Sequence, residues 1–349
     1  MDCAGWLAQP GGGVARKGDA AMGPSDTGDR TGGGARRRNT DRRRRPRKVA
    51  GLVAALAAAA LVAAGCGSSA DTSVDEAHTV EIGYIDWAED TALTALFDQQ
   101  LSDSGYQVKT TGFDNVGALF AAMADGKIDM FLDTWLPLTH QKYWDKYGDR
   151  LEDLGVWYDN ANLELAVPSY VTDVNSIADL KDHAREFGGV ITGIDAGAGI
   201  MDRTEHHVIP DYELGGVMRV EESSAEQMAA DLGTAIADRA PIVVTLWHPH
   251  WAYSRYDLKD LQDPKGSLGS TENLHITARA GFSDDHPNLA TVASGFTIDD
   301  ERLQSLEAAI NAAGADGTQA AVQQWRADNA DYIRQEFGTL HQSDQRHIN

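Results

Sequence analysis

From Thr79 to Leu132 short β-branched runs alternate with stretches of helical periodicity, and that alternation leaves few folds open. Thr79 to Ile85 reads as a strand, Thr91 to Ser104 as a helix, Tyr106 to Thr111 as a strand, Val116 to Asp125 as a helix and Ile128 to Leu132 as a strand. Strands that alternate with helices of this length build a parallel sheet, because each crossover helix covers a sheet face that would otherwise stay wet. Gly105 and Gly126 stand just past the two helices. A helix is commonly closed there by a left-handed residue, which glycine adopts without a steric penalty.

The pattern restarts further on. Leu163 to Pro168 reads as another strand, and a new unit begins at Tyr170: Ser176 to Leu180 opens a helix, while Gly189 to Ile194 and Ile242 to Leu246 are strands. His275 to Arg279 is extended and precedes a helix-rich tail from Asp299 to Phe337. The expected layout is therefore two α/β lobes, lobe I from 78–168 and 277–349, with lobe II, 169–276, inserted between. Two strand-like crossings, near 164–170 and 274–280, would form a two-strand hinge. Ligands of open α/β sheets lie at the carboxyl ends of strands, and here those ends face each other across a cleft.

Residues 1–65 have a different character. Glycine-rich and arginine-rich sequence ends in Arg42-Arg43-Arg44-Arg45-Pro46-Arg47-Lys48, followed by an apolar run from Val49 to Ala64. A basic region, a short apolar region and small residues before a cleavage point describe an export signal, and the run is short for a membrane span. Ala63-Ala64-Gly65-Cys66 resembles a bacterial lipobox, which makes Cys66 the expected lipid-modified N-terminus and 66–77 a flexible tether. The chain has two cysteines, Cys3 and Cys66. Since Cys3 leaves with the leader, no intrachain disulfide is expected in the mature protein. Residues 1–65 are net +7 (12 Lys+Arg less 5 Asp+Glu), which places −30 of the overall −23 on residues 66–349. Such an acidic body does not bind nucleic acid or anionic lipid through its general surface.

Tryptophan marks the strand ends. Trp87 lies in Tyr84-Ile85-Asp86-Trp87-Ala88-Glu89, Trp135 in Asp133-Thr134-Trp135-Leu136-Pro137, and Trp247 and Trp251 in Leu246-Trp247-His248-Pro249-His250-Trp251. A single tryptophan at such a place is usually core or rim. Three at equivalent strand ends in two lobes point instead to an aromatic cage, since a quaternary ammonium has no N–H to donate and is held best by the negative faces of several rings. Trp251 reads as support for its loop, and Trp144, Trp157 and Trp325 as core.

Asp195-Ala196-Gly197-Ala198-Gly199-Ile200-Met201 follows a strand and opens a helical stretch, so its backbone N–H groups can approach an anion. It lacks the Lys-Ser/Thr of a phosphate loop and the spacing of a dinucleotide fingerprint, which leaves a carboxylate as the suitable guest. His140, five residues after Trp135, is a candidate donor to the same carboxylate; a surface histidine at a helix start is the alternative.

With Gly193 to Met201, Trp135 to His140, Val167-Pro168-Ser169-Tyr170-Val171 and Pro241 to Trp251 together, the chain resembles the glycine betaine binding proteins of osmoprotectant ABC transporters from about Thr79 to Phe296. The resemblance implies a type II periplasmic-binding-protein-like fold, no catalysis, no cofactor, and a monomer on the extracytoplasmic face of the cell membrane that serves an ABC permease. It further implies that Trp87, Trp135 and Trp247 enclose a trimethylammonium group, with Gly199, Ile200 and His140 holding the carboxylate. Ala196, Leu246 and His248 depart from the family's usual proline, glycine and threonine or serine, and Leu246 is placed to alter cage shape.

Two other readings remain open. Choline, carnitine or proline betaine could occupy the same fold, although choline leaves the carboxylate donors unused. A metal-binding lipoprotein could use His248 and His250 with His206 and His207, although no cysteine or paired carboxylate spacing completes such a site.

Overall fold

The computed structural model describes residues 78–340; the leader, Cys66 and the tether lie outside them. Nine strands run β1 (Thr79–Tyr84), β2 (Gln107–Gly112), β3 (Met130–Leu136), β4 (Leu151–Pro168), β5 (Val190–Thr192), β6 (Arg219–Glu221), β7 (Val244–His248), β8 (Leu258–Asp260) and β9 (Glu272–Arg279). Their order is β2-β1-β3-β9-β4-β7-β5-β6, with β8 also on β4. The fold is a two-lobe α/β architecture.

The strand that joins the lobes is β4. Its first part pairs antiparallel with β9, from Leu151 opposite Arg279 to Ala161 opposite Glu272. From Asn162 onward it pairs with β7, Asn162 opposite His248, and its end pairs with β8. The crossing thus falls between Ala161 and Asn162, and Asn162 to Pro168 belong to the second sheet by hydrogen bonding. β9 lies wholly in the first sheet. The sequence shows β4 only from Leu163, because Leu151 to Asn160 carries Gly155, Asp153 and Asp159 where a strand pattern would alternate. Register shifts on both sides of Gly155 absorb them, and Gly155 itself has φ 144°, open to glycine but strained for other residues.

Helix starts follow from local chemistry. Asn115 accepts from the Ala118 amide to cap the helix Val116–Ala124, and Asp299 accepts from the Arg302 amide to cap Asp300–Ala313, each taking up a donor that the helix leaves unpaired. Ser176 and Asp179 form a reciprocal capping box, but the helix they open is only a single turn at Ile177–Asp179 followed by Leu180–His183. Gly105 and Gly126 adopt φ of 93° and 68°.

The first lobe's core continues across the cleft, from Ile82, Phe97 and Phe131 to Ile194, Leu246 and Trp251. The second lobe keeps a separate core around Leu165, Val174, Ile191 and Val243. Phe97 meets Phe296 and Phe337 edge-on at ring distances of 5.1 and 5.2 Å. That cluster fastens the C-terminal helices to the first lobe, and edge-to-face pairs add about 0.5–1.5 kcal/mol each beyond burial.

Candidate functional site

Trp135 and Trp247 sit within the last residues of β3 and β7 rather than beyond them, because both strands run further than their sequence suggests. Trp135 pairs opposite Leu274 and Trp247 opposite Leu163. Trp87 directly precedes the helix Ala88–Asp103. The three are 5, 3 and 3% exposed; rings at the mouths of two facing sheets are this buried only when the sheets meet.

Between them lies a small cavity lined by Trp87, Trp135, Trp247, His140, Gly199 and Ile200, together with Glu89, Thr139, Leu163, Ile194 and Ala198. All six residues singled out in the sequence thus converge on one space. A larger hollow beside Asp125, Arg150 and Arg279 includes none of the six.

Each of the three indole N–H groups is held by an acidic side chain. Trp135 Nε1 donates to Asp133 Oδ1 at 3.0 Å, Trp87 Nε1 to Asp195 Oδ2 at 3.0 Å, and Trp247 Nε1 to Glu89 Oε2 at 2.7 Å. Asp133 and Trp135 are two apart on one strand and share a face. The other two bonds span the cleft in opposite directions. An indole anchored at its edge keeps a fixed ring plane, which is what a cage wall requires.

His140 is fully buried and stacks beside Trp87, with ring centroids 5.8 Å apart and planes at 17°. Desolvation, with a smaller push from Lys142, drives its pKa down to about 3, so the ring is neutral at physiological pH. The Trp135 backbone N–H donates to its Nδ1 at 2.9 Å. The proton therefore resides on Nε2, which has no protein partner. A carboxylate reaching His140 meets a neutral N–H donor, with the charge of the bond supplied by the ligand alone.

Gly199 and Ile200 head the short helix Gly199–Arg203 behind Ala198, and amides at a helix start have no intrahelical acceptor. Gly199 has a second duty. A Cβ there would sit 2.2 Å from Thr139 Cγ2 and 3.3 Å from the Thr139 Cα, so its lack of a side chain lets the lobes touch. Thr139 is fixed in turn by Glu272, which accepts from the Leu138 and Thr139 amides at 2.7 and 2.8 Å and from the Thr139 hydroxyl.

Sequence reasoning passed over Glu89, although it stands two residues after Trp87. Burial raises its carboxyl to about 7, while bonds from its own backbone amide and the Trp247 indole pull it back. Asp90, Asp133 and Glu307 are also fully buried, and desolvation holds each well above the ordinary carboxylate range.

The remaining singled-out residues have other settings. Trp157 is core, its indole donating to the Leu132 carbonyl at 2.7 Å, and Trp325 donates to Ser305 Oγ at 2.8 Å. Trp144 is only partly buried against the core. Trp251 is buried beside His250. His248 Nε2 pairs with Asp260 Oδ2 at 2.9 Å and stacks on Tyr253, whereas His250 Nδ1 accepts from the Ala252 amide at 3.0 Å. Those partners separate the two rings, and His206 and His207 are exposed on the helical turn Thr204–Val208. Among the described residues no group of three or more His, Cys, Asp or Glu is placed to hold a metal ion, and no helix is long and apolar enough to cross a membrane.

Known proteins share this fold. The crystal structure of lactococcal OpuAC, closed and complexed with glycine betaine, superposes with a TM-score of 0.68 at 32% identity, covering 74% of this chain and 99% of that one. ProX from Borrelia burgdorferi, a glycine betaine/L-proline-binding protein, gives 0.70 at 30% identity over 75% and 99%. The glycine betaine/carnitine transport binding protein GbuC of Listeria monocytogenes is 38% identical over 154 residues, 44% of this chain and 50% of GbuC; the chain thus matches about half the length of that relative. Residues 78–328 match the family described as the substrate binding domain of ABC-type glycine betaine transport systems, and with the two-lobe fold and the small aromatic cavity already in place, this chain belongs to that family.

Proposed function

We propose that the chain captures glycine betaine, or a closely related quaternary ammonium zwitterion, between its lobes and hands it to an ABC permease. Trp87, Trp135 and Trp247 surround the onium head, while His140 Nε2–H and the Gly199 and Ile200 amides hold the carboxylate. In this reading the bounds 168/169 and 276/277 expected from the sequence shift to follow the sheets, lobe I taking residues 78–161 and 272–340 and lobe II 162–271. Cys66 carries the lipid that tethers a monomer outside the cell membrane.

One observation carries the reading: three indoles from two lobes converge on one small cavity, each with its N–H taken by a carboxylate. The relatives' names add support, since they include glycine betaine and carnitine. A ligand that touches both lobes gains its full set of contacts only in the shut form, so it shifts the population toward closure. Desolvated cation–π contacts contribute on the order of 1–2 kcal/mol each and hydrogen bonds to a charged group roughly 1.5–3 each. After the losses of closure, a net of about 8 kcal/mol corresponds to micromolar binding.

Titration calorimetry with glycine betaine, carnitine, proline betaine and choline tests this. Trp247→Ala is expected to weaken betaine binding at least tenfold on the cation–π estimate. Unchanged affinity in that variant would remove Trp247 from the cage.

A further inference from the structure

Glu89 lines the cavity and belongs, with Asp90, Asp133 and Glu307, to a group of four buried carboxyls that desolvation raises above their ordinary range. The other three face it from its own helix and from two neighbouring elements: Asp90 beside it, Asp133 on β3 and Glu307 on the helix Asp300–Ala313. Asp90 is occupied by the Ile85 amide at 2.7 Å and by Thr94, whereas Asp133 Oδ2 has no protein partner and Glu307 has only the Trp251 amide to relieve it. Among the described residues none of the four makes an ion pair. The two buried imidazoles nearby, His140 on the cavity and His250 edge-on to Trp247 at 4.7 Å, are held neutral by burial. Asp86, in the turn before the helix, and Asp195, which receives the Trp87 indole, add only negative charge to the surroundings.

The protein thus surrounds Glu89 with acids and neutral rings and supplies no cation. A carboxyl in that setting ionises only when positive charge arrives from outside. We propose that Glu89 is a ligand-binding residue, the anionic wall of the cage, which keeps its proton while the closed cavity is empty and gives it up when an onium head enters. This rests on the reading that such a head lodges among the three indoles. Glu89 Oε2 keeps the Trp247 N–H throughout, the proton leaves Oε1 for solvent, and the carboxylate pairs with the incoming cation, so charge and atoms balance. The pairing favours guests with a full positive charge over neutral isosteres of the same shape, beyond what the rings alone contribute.

The direction of the pH effect follows from linkage. In the closed, ligand-free form the carboxyl is pushed up to about 7 and the complex ionises lower, so affinity for that form rises with pH up to about 7 and levels above it. His140, which titrates near 3, and the guest's own carboxylate are unchanged over this range.

Calorimetry of the full chain with glycine betaine at pH 6, in two buffers of different ionisation enthalpy, counts the protons exchanged. Release of close to one proton is expected, with about 20-fold tighter binding at pH 7.5 than at pH 5.5. Choline releases the same proton, because the onium end drives the step, and the uncharged alcohol 3,3-dimethylbutanol releases none. Glu89→Gln is expected to bind betaine without proton release and with a pH-independent Kd. Betaine binding by the unaltered protein with no proton release overturns the proposal, as does release that persists in Glu89→Gln, which would move it to Asp133 or Glu307. Failure to bind any onium compound at any pH overturns the cage reading itself.

Discussion

The indole N–H of Trp87 donates across the cleft to Asp195 Oδ2 at 3.0 Å, and Trp247 returns the gesture to Glu89 at 2.7 Å. Each lobe contributes one of these indoles and one acidic side chain that holds the other lobe's indole. On the proposed reading of the three rings as a cage, these bonds tie ring placement to closure.

Asp195→Ala leaves the N–H of a buried indole unpaired and removes one of the two bonds that span the cleft. Betaine Kd is expected to rise about tenfold, or ~1.4 kcal/mol, while the melting temperature without ligand moves little, because neither lobe's core is touched. Calorimetry beside a thermal melt separates the two effects. An unaltered Kd would show that the bond does not favour the shut form.

Gly199→Ala places a methyl 2.2 Å from Thr139 Cγ2 and holds the lobes apart. Betaine affinity is expected to fall by about 100-fold, in line with the roughly 1–3 kcal/mol of an overpacked contact. Adding Thr139→Ser deletes the clashing methyl and keeps the hydroxyl that Glu272 accepts from, so the double variant should recover much of the loss. A double variant as weak as Gly199→Ala alone would place the damage elsewhere.

Buried carboxyls make ligand-free stability fall on the alkaline side. Glu307, ordinarily 4.5, is held well above that by desolvation, with partial relief from the Trp251 amide. A raised value means that its contribution is complete below 4.5 and is lost as the pH rises toward the folded value, at about 1.4 kcal/mol per pH unit between the two. His140 and His250, lowered from 6.5 to about 3, act in the opposite sense: their contribution is complete above 6.5 and lost as the pH falls. Glu307→Gln removes only the alkaline loss, so its melting temperature relative to the parent should climb by several degrees from pH 5.5 to pH 9. The same difference at both pH values would contradict a buried, titrating Glu307.

The residues of the candidate site were legible in the sequence because each sits in a local pattern. Trp87, Trp135 and Trp247 stand at strand ends, and Gly199 and Ile200 follow a strand at a helix start. Trp135 and Asp133 are two apart, so even their contact follows from strand periodicity. Glu89 was visible in the same motif, yet nothing local tells an acid in a first helical turn, usually a solvated residue, from one sealed in a cavity. Strand β4 was half legible, since Leu163 to Pro168 is apolar throughout whereas Leu151 to Asn160 becomes a strand only through β9.

What the sequence determined by itself is the alternation of strands and helices, the glycine stops, and the set of aromatic and backbone groups presented at the strand ends, all functions of residues within a few positions of one another. The tertiary structure alone decided which acid holds which indole, since those pairs are 108 and 158 residues apart, and how far each buried group titrates from its ordinary value. Both depend on what two lobes exclude when they meet: water leaves, the effective dielectric falls, and a carboxyl that would be an ordinary surface charge becomes a proton store beside the rings.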